Sequence, residues 1–494
     1  MSSTTSAATP MWSSLPQPTS VDLTGGLWQP GRRVLVTAPQ AGLRREAERL
    51  ADELTALGHG AAAEVPAPGG VEDRDPADTQ ATVVALRTGD TGMASPESFT
   101  ISVGDTVEVV GGSAVGVFRA TRQLLHNLIA QDGVPRGQVR SEPAVAERGL
   151  HLDAARKHYP ASWIADLLRS LSWVGITTFQ WHFSESLGFR IASERHPEIV
   201  SAEHHTKAEV RELLELAADL HIEVVPSLDM PGHLRQALAT HPEWQLPAPA
   251  ADTTHALDIT SPDAVRFARD LIDEYAELFS TSRHWNLGAD EFVAFEAMDD
   301  YPVLADAARS RFGPAANGFD LLTAFANDTA AHLAEHGFTA RVWNDGMFRG
   351  AVVALDPGVQ VTWWTNWNAL MRPVTDGLAG GHRIVNFMDS LLYYVLGEVN
   401  NYPYPTSERL WAEDWHPGAF TRLPGGVAQT WGTPYPEQLL GASFSVWSDI
   451  VDAQTPDEVA AGIRRPLRGM AERAWNAGSR LGHDAFLRIE AAIG

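Results

Sequence analysis

A (β/α)8 barrel preceded by a small α+β domain is the α/β fold that the sequence predicts, and three observations carry that prediction. From Arg148 onward the chain repeats strand, loop and helix patterns. Eight short apolar runs can be read in that stretch, and several of them end in or are followed by Asp, Glu, His or Trp. Those are the residue types a parallel barrel displays at the C-terminal ends of its strands, where its chemistry resides. A length of 494 residues has room for one barrel plus a smaller partner. A doubly wound open sheet is the main alternative, but no glycine-rich phosphate loop follows the first strand of the repeat.

Residues 1–28, rich in Ser, Thr and Pro, read as a disordered or loosely docked lead-in. Residues 29–145 read as the α+β domain. Val34-Leu35-Val36 is a short strand, Gly42 to Leu57 a helix, and Thr82–Leu86, Phe99–Val103 and Val107–Val110 further strands before a helical segment Ala114–Ile129. Residues 146–494 read as the barrel. Its strands are expected at Gly149–Ala154, Thr177–Phe183, Glu223–Leu228, His284–Gly288, Thr339–Trp343, Val359–Trp364, Arg383–Phe387 and Ala442–Trp447. Helix starts punctuate the intervals. Thr206 and Glu209 form a capping box, and Ser261-Pro262-Asp263 and Thr455-Pro456-Asp457-Glu458 place Pro at the first helical position.

Composition narrows the function classes. Thirty-seven basic side chains against 62 acidic ones give a formal charge of −25. Nucleic acid and anionic membrane surfaces are therefore poor partners, since both demand a basic footprint. No apolar run approaches the ~18–20 residues that span a bilayer. Cysteine is absent, so disulfides, thiolate metal sites and a Cys nucleophile are excluded together. Residues 1–20 show neither a basic n-region nor an apolar h-region, so a cytoplasmic location is the expectation, or secretion if a leader was removed.

The polar residues at the expected strand ends follow one another unit by unit. They are Asp153 and Arg156; His182 and Glu185; Asp229 and His233; Asp290 and Glu291; Trp343 and Asp345; Trp363 and Trp364; Asp389, Tyr393 and Tyr394; Trp447 and Asp449. A lone Asp-Glu pair reads most simply as a helix N-cap with a first-turn acid. Eight such junctions in succession read differently. Carboxylates gathered at strand ends suit cleavage of a glycosidic bond, where one group donates a proton and another steadies positive charge. Aromatic residues among them suit a pyranose, whose C–H faces pack on Trp while its hydroxyls meet carboxylates and Arg.

The segments Arg148-Gly-Leu-His-Leu-Asp-Ala-Ala-Arg156, Trp181-His-Phe-Ser-Glu-Ser-Leu-Gly-Phe-Arg190, Met230-Pro-Gly-His233 and Leu287-Gly-Ala-Asp-Glu-Phe292 resemble the family 20 glycoside hydrolases, the β-N-acetylhexosaminidases. The resemblance runs from about residue 30 to residue 480. It implies a retaining enzyme with no protein nucleophile, in which the 2-acetamido oxygen of the substrate attacks the anomeric carbon to give an oxazolinium ion. Carried onto matching positions, Glu291 is the general acid and later the base, and Asp290 orients the acetamido group. Tyr393, or Tyr394 in the shifted register, donates to the acetamido oxygen. Trp343, Trp364 and Trp447 wall the pocket, and Arg156 holds outer hydroxyls opposite Asp449. Glu185 and His233 form a chain behind Glu291 that keeps its pKa high. Adjacent strand residues face opposite ways, so Asp290 and Glu291 can reach one sugar only if the backbone kinks between them.

Three departures from the family pattern bear on the substrate. Glu185 stands where many members have Asp. Val395 (or Leu396 in the shifted register) takes the place of an Asp, and Asp449 that of a Glu, which leaves room beside the outer hydroxyls. The expected activity is release of terminal N-acetylhexosamine from an oligosaccharide or glycoconjugate. The alternatives are release of a disaccharide, as by the related lacto-N-biosidases, and a non-catalytic glycan-binding relative. No cofactor is expected. A metal site is not expected either, since the neighbours His204 and His205 point apart on most backbones.

Overall fold

The computed structural model describes residues 11–65, 81–248, 251–479 and 481–494. The chain divides into two compact units, one of residues 1–146, 173–175 and 471–494 and one of residues 147–172 and 176–470.

Among the described residues the first unit has seven strands: β1 (Ser20–Trp28), β2 (Arg33–Thr37), β3 (Gly60–Glu64), β4 (Thr82–Thr88), β5 (Phe99–Val103), β6 (Val107–Gly111) and β7 (Val134–Ser141). They lie in the order β1-β7-β5-β6-β4-β2-β3. Helices α1 (Arg44–Ala56) and α2 (Ala114–Gln131) contribute to the same core, in which Val36, Leu86, Phe99, Ile101 and Val117 are buried. Three strands of this sheet escape a reading of local pattern. The Gly-Ala-Ala-Ala-Glu run of β3 has low strand propensity, β7 contains Pro135 and Gly137, and β1 is broken by Gly25-Gly26. Pairing within the sheet overrides these weak local preferences.

The expectation for residues 1–28 is corrected from residue 11 onward, residues 1–10 lying outside the described residues. Residues 20–28 form β1, antiparallel to β7, with a register shift at the paired glycines. Ahead of the strand, Trp12 is 2% exposed and donates its indole N–H to Gln123 Oε1 at 3.0 Å. Burial of that ring and Leu15 provides the apolar gain that a Ser/Thr/Pro composition conceals. The far end also departs from the expected boundary, because residues 471–494 group with the first unit and not with the barrel.

The second unit is a closed barrel. Its eight parallel strands are β8 (Glu147–Asp153), β9 (Thr178–Glu185), β11 (Glu223–Leu228), β12 (His284–Gly288), β13 (Thr339–Trp343), β14 (Gln360–Trp363), β15 (Ile384–Asn386) and β19 (Leu439–Trp447). Closure is made by β19 pairing with β8, from Gly441 opposite Glu147 to Val446 opposite Leu152. Shorter strands decorate it. β10 (Gly188–Phe189) folds back on β9, β16 (Tyr393–Val395) runs parallel to β19, and β17 (Ala419–Leu423) pairs with β18 (Val427–Thr430).

Each expected barrel strand is present within three residues at its start and two at its end. All residues of β8 and β9 are buried, as both faces of a helix-covered parallel strand must be. Thr206 and Glu209 make the expected capping box, and Ser261 and Thr455 accept from the N–H groups of Ala264 and Glu458. Near the strand starts, Glu147 on β8 meets Arg341 on β13 through two parallel hydrogen bonds of 2.8 and 2.7 Å, and Arg341 also donates to Gln360. No helix among the described residues is long and apolar enough to cross a membrane.

Candidate active site

The site begins where β12 ends. Gly288, Ala289 and Glu291 have φ of +79°, +66° and +39°. This is the kink that two adjacent carboxylates need in order to share a pocket. Gly288 is required by space as well as conformation, since a Cβ there would stand 1.9 Å from Asp229 Oδ1. The turn is pinned by hydrogen bonds: Gly288 N–H donates to Asn286 Oδ1 at 2.8 Å, Ala289 N–H to Asp229 Oδ1 at 3.3 Å, and Glu291 N–H to Asp345 Oδ2 at 3.3 Å.

A cavity of about 430 Å³ opens above it, within the range of ~300–1,000 Å³ usual for small-molecule sites. Nine of the ten residues expected at the site line this cavity: Arg156, His233, Asp290, Glu291, Trp343, Trp364, Tyr393, Trp447 and Asp449. The tenth, Glu185, is buried and absent from the lining, so its role is to position others. Strand alternation separates the two tyrosines. Tyr393 faces the cavity, whereas Tyr394 turns away, stacks on Tyr404 and donates to Gln454 Oε1 at 3.0 Å.

The aromatic wall is continuous. The Trp364 and Tyr393 rings are nearly parallel, 5.8 Å apart, and Trp447 lies 5.9 Å from Tyr393 and 6.1 Å from Trp343. Trp364 is fixed by its N–H, which donates to Asp345 Oδ1 at 3.0 Å. Burial pushes Asp345 up to about 8, and the nearby Asp290 charge adds to the shift. Four lining residues escape the reading of strand ends alone: Trp367, Val395, Asn400 and Tyr402. Val395 is the position already noted as lacking an Asp. Tyr402 is tied to Asp389 by an O–H···O bond of 3.1 Å. Trp367 closes a run of three tryptophans begun at Trp363-Trp364, which is the one sequence signal that points to it.

Below the cavity floor the charges alternate. Asp153 Oδ2 accepts from Arg156 Nη1 at 2.9 Å, and Arg156 Nη2 lies 3.3 Å from Glu185 Oε2. The same Glu185 oxygen is 2.6 Å from His233 Nδ1, and His233 Nε2 is 3.5 Å from Asp290 Oδ2 and 3.7 Å from Glu291 Oε2. The longer side chain of Glu185 thus touches both cations with one atom. Burial penalises the His233 imidazolium, but Glu185 and Asp290 overcome that penalty and hold its pKa well above the usual histidine value. Burial also opposes ionisation of Glu185, yet His233 and Arg156 hold it well below the usual carboxylate range.

Asp229 and Asp290 titrate as a pair. Burial and the neighbouring Asp290 charge raise Asp229, so Asp229 keeps the proton. Burial works against Asp290 as well, but His233 and a hydrogen bond from Asp229 lower it, so Asp290 is the ionised partner. Asp290 Oδ1 is buried and has no hydrogen-bond partner among the described residues.

Glu291 is different in kind. Its side chain has 54% of its surface open into the cavity, yet the crowded walls strip enough water from it to raise its pKa. Here the expectation is corrected. The Glu185–His233 chain does not keep Glu291 high, since the His233 cation pulls it down; burial is the larger cause of the rise, and Asp290 adds to it. Asp449 is raised by burial and lowered by Arg156, whose guanidinium lies 5.6 Å from the Trp447 ring centre.

Asp229, His233 and Asp290 have donor atoms within 4.8 Å of one another, the spacing of a cation site. The cation they are built around is the His233 imidazolium, because its Nδ1 is committed to Glu185. His204 and His205 do point apart: His204 Nδ1 meets Ser201 O at 2.8 Å, and His205 is buried against Trp181. His332 and His336, a His pair four residues apart at the C-terminal end of the helix Gly318–Glu335, escape that reading of the sequence.

A paired acid, a tyrosine and an aromatic wall at the C-terminal end of a barrel agree with what comparison finds. The catalytic-domain model of glycosyl hydrolase family 20 matches residues 146–478, and the model of that family's domain 2 matches residues 13–141. A lacto-N-biosidase of Bifidobacterium bifidum is 27% identical over 460 residues, covering 91% of this chain. The present chain spans only 38% of that enzyme's length. A β-N-acetylhexosaminidase of Cellulomonas fimi is 26% identical over 426 residues, 80% of this chain and 77% of its own. The fold is shared with a mutant β-hexosaminidase of Streptomyces plicatus solved in complex with its product GlcNAc, at a TM-score of 0.75 and 21% identity over 98% of this chain and 95% of that one. The chain belongs to glycosyl hydrolase family 20.

Proposed function

We propose that the protein is an exo-acting, retaining β-N-acetylhexosaminidase that works by substrate assistance. The observation that carries the reading is the buried, unpartnered Oδ1 of an ionised Asp290, beside a phenol and within a tryptophan wall. An acetamido group answers all three: its N–H to Asp290, its carbonyl oxygen to Tyr393, its methyl to the indoles. So held, the acetamido oxygen is aimed at the anomeric carbon. Glu291 gives its proton to the departing oxygen as the glycosidic C–O bond breaks and the acetamido O–C1 bond forms. Asp290 balances the oxazolinium charge. Glu291 then takes a proton from water, which attacks C1 on the face the aglycone left, opens the ring and returns both groups to their starting states.

A second reading has its own support. Asp449 is one methylene shorter than the Glu common at its position, which leaves room beside it, and Asn400 and Tyr402 add polar groups to the cavity lining. Similarity to a lacto-N-biosidase over most of the chain points the same way. Rates on an aryl β-N-acetylglucosaminide and on an aryl Galβ1-3GlcNAc substrate separate the two readings. A thiazoline mimic of the oxazolinium should inhibit in either case. Sugar binding without turnover of either substrate would overturn both, leaving a glycan-binding relative.

A further inference from the structure

Two segments of the second unit adopt the same turn. His196-Pro197-Glu198 and His241-Pro242-Glu243 each begin a short 3-10 helix with Pro at its first positions, and their His residues have φ/ψ of −132°/61° and −133°/60°. The rigid proline fixes where each imidazole goes. The two rings converge on one carboxylate: Glu198 Oε1 is 3.1 Å from His196 Nδ1 and 3.0 Å from His241 Nε2.

We propose that His196 Nδ1, His241 Nε2 and the Glu198 carboxylate form a binding site for a divalent transition cation of the zinc class. A tetrahedral ion bound at ~2.0–2.1 Å needs donors about 3.4 Å apart; the two N···O spacings are within a few tenths of an ångström of that, and all three donor atoms lie within 4.8 Å of one another. Two imidazoles and one carboxylate leave the fourth position for water, and Glu198, 38% exposed, keeps it open to solvent.

The surroundings are those of a supported ligand set. His241 Nδ1 lies 3.5 Å from Glu243 Oε1, close enough for that carboxylate to accept from the ring once an ion holds Nε2, the arrangement that orients a ligand ring and raises its basicity. The His241 ring is stacked on Trp244 at 4.1 Å, and His196 meets the edge or face of Phe267 at 4.8 Å, so neither ring swings freely. His196 N–H donates to Ser193 Oγ, whose hydroxyl is held by the buried Glu274. A bound ion would therefore clamp the segment that follows the β9–β10 hairpin to the segment that follows β11.

The test is calorimetric titration of chelator-stripped protein with zinc chloride, paired with thermal melts with and without zinc. Wild type should bind zinc and melt at least roughly 2 °C higher in its presence. His196→Gln and His241→Gln should each lose one equivalent of binding and the zinc-dependent rise. Glu243→Gln, which leaves all three donors in place, should bind about ten- to a hundredfold more weakly. His332→Gln, at the separate cluster with His336 and Asp273, should leave this equivalent intact. No binding by wild type, or unchanged binding and melting shift in both His196→Gln and His241→Gln, overturns the proposal. So does an equivalent lost only in His332→Gln. Should either histidine variant fail to fold, unaltered affinity in Glu243→Gln would count against the site.

Discussion

Glu185 Oε2 lies 2.6 Å from His233 Nδ1, and this contact sets the charge of the groups that lead from it to the reacting carboxylates. With Glu185 ionised the imidazole keeps its second proton, and that cation in turn keeps Asp290 ionised while drawing the pKa of Glu291 down. The dyad restrains the acid instead of lifting it. Its value lies in holding Asp290 charged under conditions where Glu291 is still protonated.

Replacing His233 with Gln therefore has a signed consequence. In the proposed mechanism the acid form of Glu291 is the active one, so activity is expected to fall as pH rises through its pKa. Without the cation that pKa is higher, and the alkaline limb of the kcat/KM profile should move to higher pH, even as Asp290 becomes easier to protonate and the maximum drops. A limb that moves to lower pH, or stays in place, would contradict this electrostatic reading.

Asp229 offers a second sign. Its folded pKa is raised, so it binds a proton that the unfolded chain gives up, and folding loses stability as pH rises from the unfolded value toward the folded one. Asp229→Asn keeps a donor for Asp290 and an acceptor for the Ala289 N–H without that linkage. The melting temperature of the variant relative to wild type should climb between about pH 4 and neutrality. A constant difference across that range would show that Asp229 is not the proton holder of the pair.

Gly288 tests the kink. Alanine there places a Cβ against the Asp229 carboxylate in a left-handed conformation. Gly288→Ala should lower kcat/KM by at least about a hundredfold, comparable to losing a positioned acid. Retention of near-normal turnover would mean that the turn does not align Asp290 and Glu291.

Inside the barrel, Glu147 and Arg341 satisfy each other across the closed sheet. Glu147→Ala leaves a buried guanidinium without its counter-charge and should cost about 3–5 kcal/mol by urea unfolding. A loss under 1 kcal/mol would show that Gln360 and water replace the carboxylate.

The barrel was legible because its strands are short, largely apolar runs separated by helix signals, with chemistry at their ends. Asp290-Glu291 and Arg156 were legible through their spacing within specific motifs. The first unit was only half legible, since β1, β3 and β7 carry Gly, Ala and Pro and become strands by pairing. Asn400 and Tyr402 were hidden for another reason. They reach the cavity from a segment with left-handed residues at Glu398, Asn400 and Asn401, which no strand-end pattern marks. The direction of the His233 effect was also beyond the sequence, because it depends on distances of 2.6 to 3.7 Å from three carboxylates.

The claim at the centre is that the substrate's own acetamido oxygen is the nucleophile. It is tested most directly by kcat/KM for a series of aryl β-glycosides of the preferred sugar in which the N-acetyl methyl carries zero to three fluorine atoms. Each fluorine withdraws electrons from the carbonyl oxygen, so the account predicts a steep, monotonic fall in rate along the series. A flat series, with the trifluoroacetyl substrate cleaved about as fast as the acetyl one, would contradict it and point to a nucleophile supplied by the protein or by water.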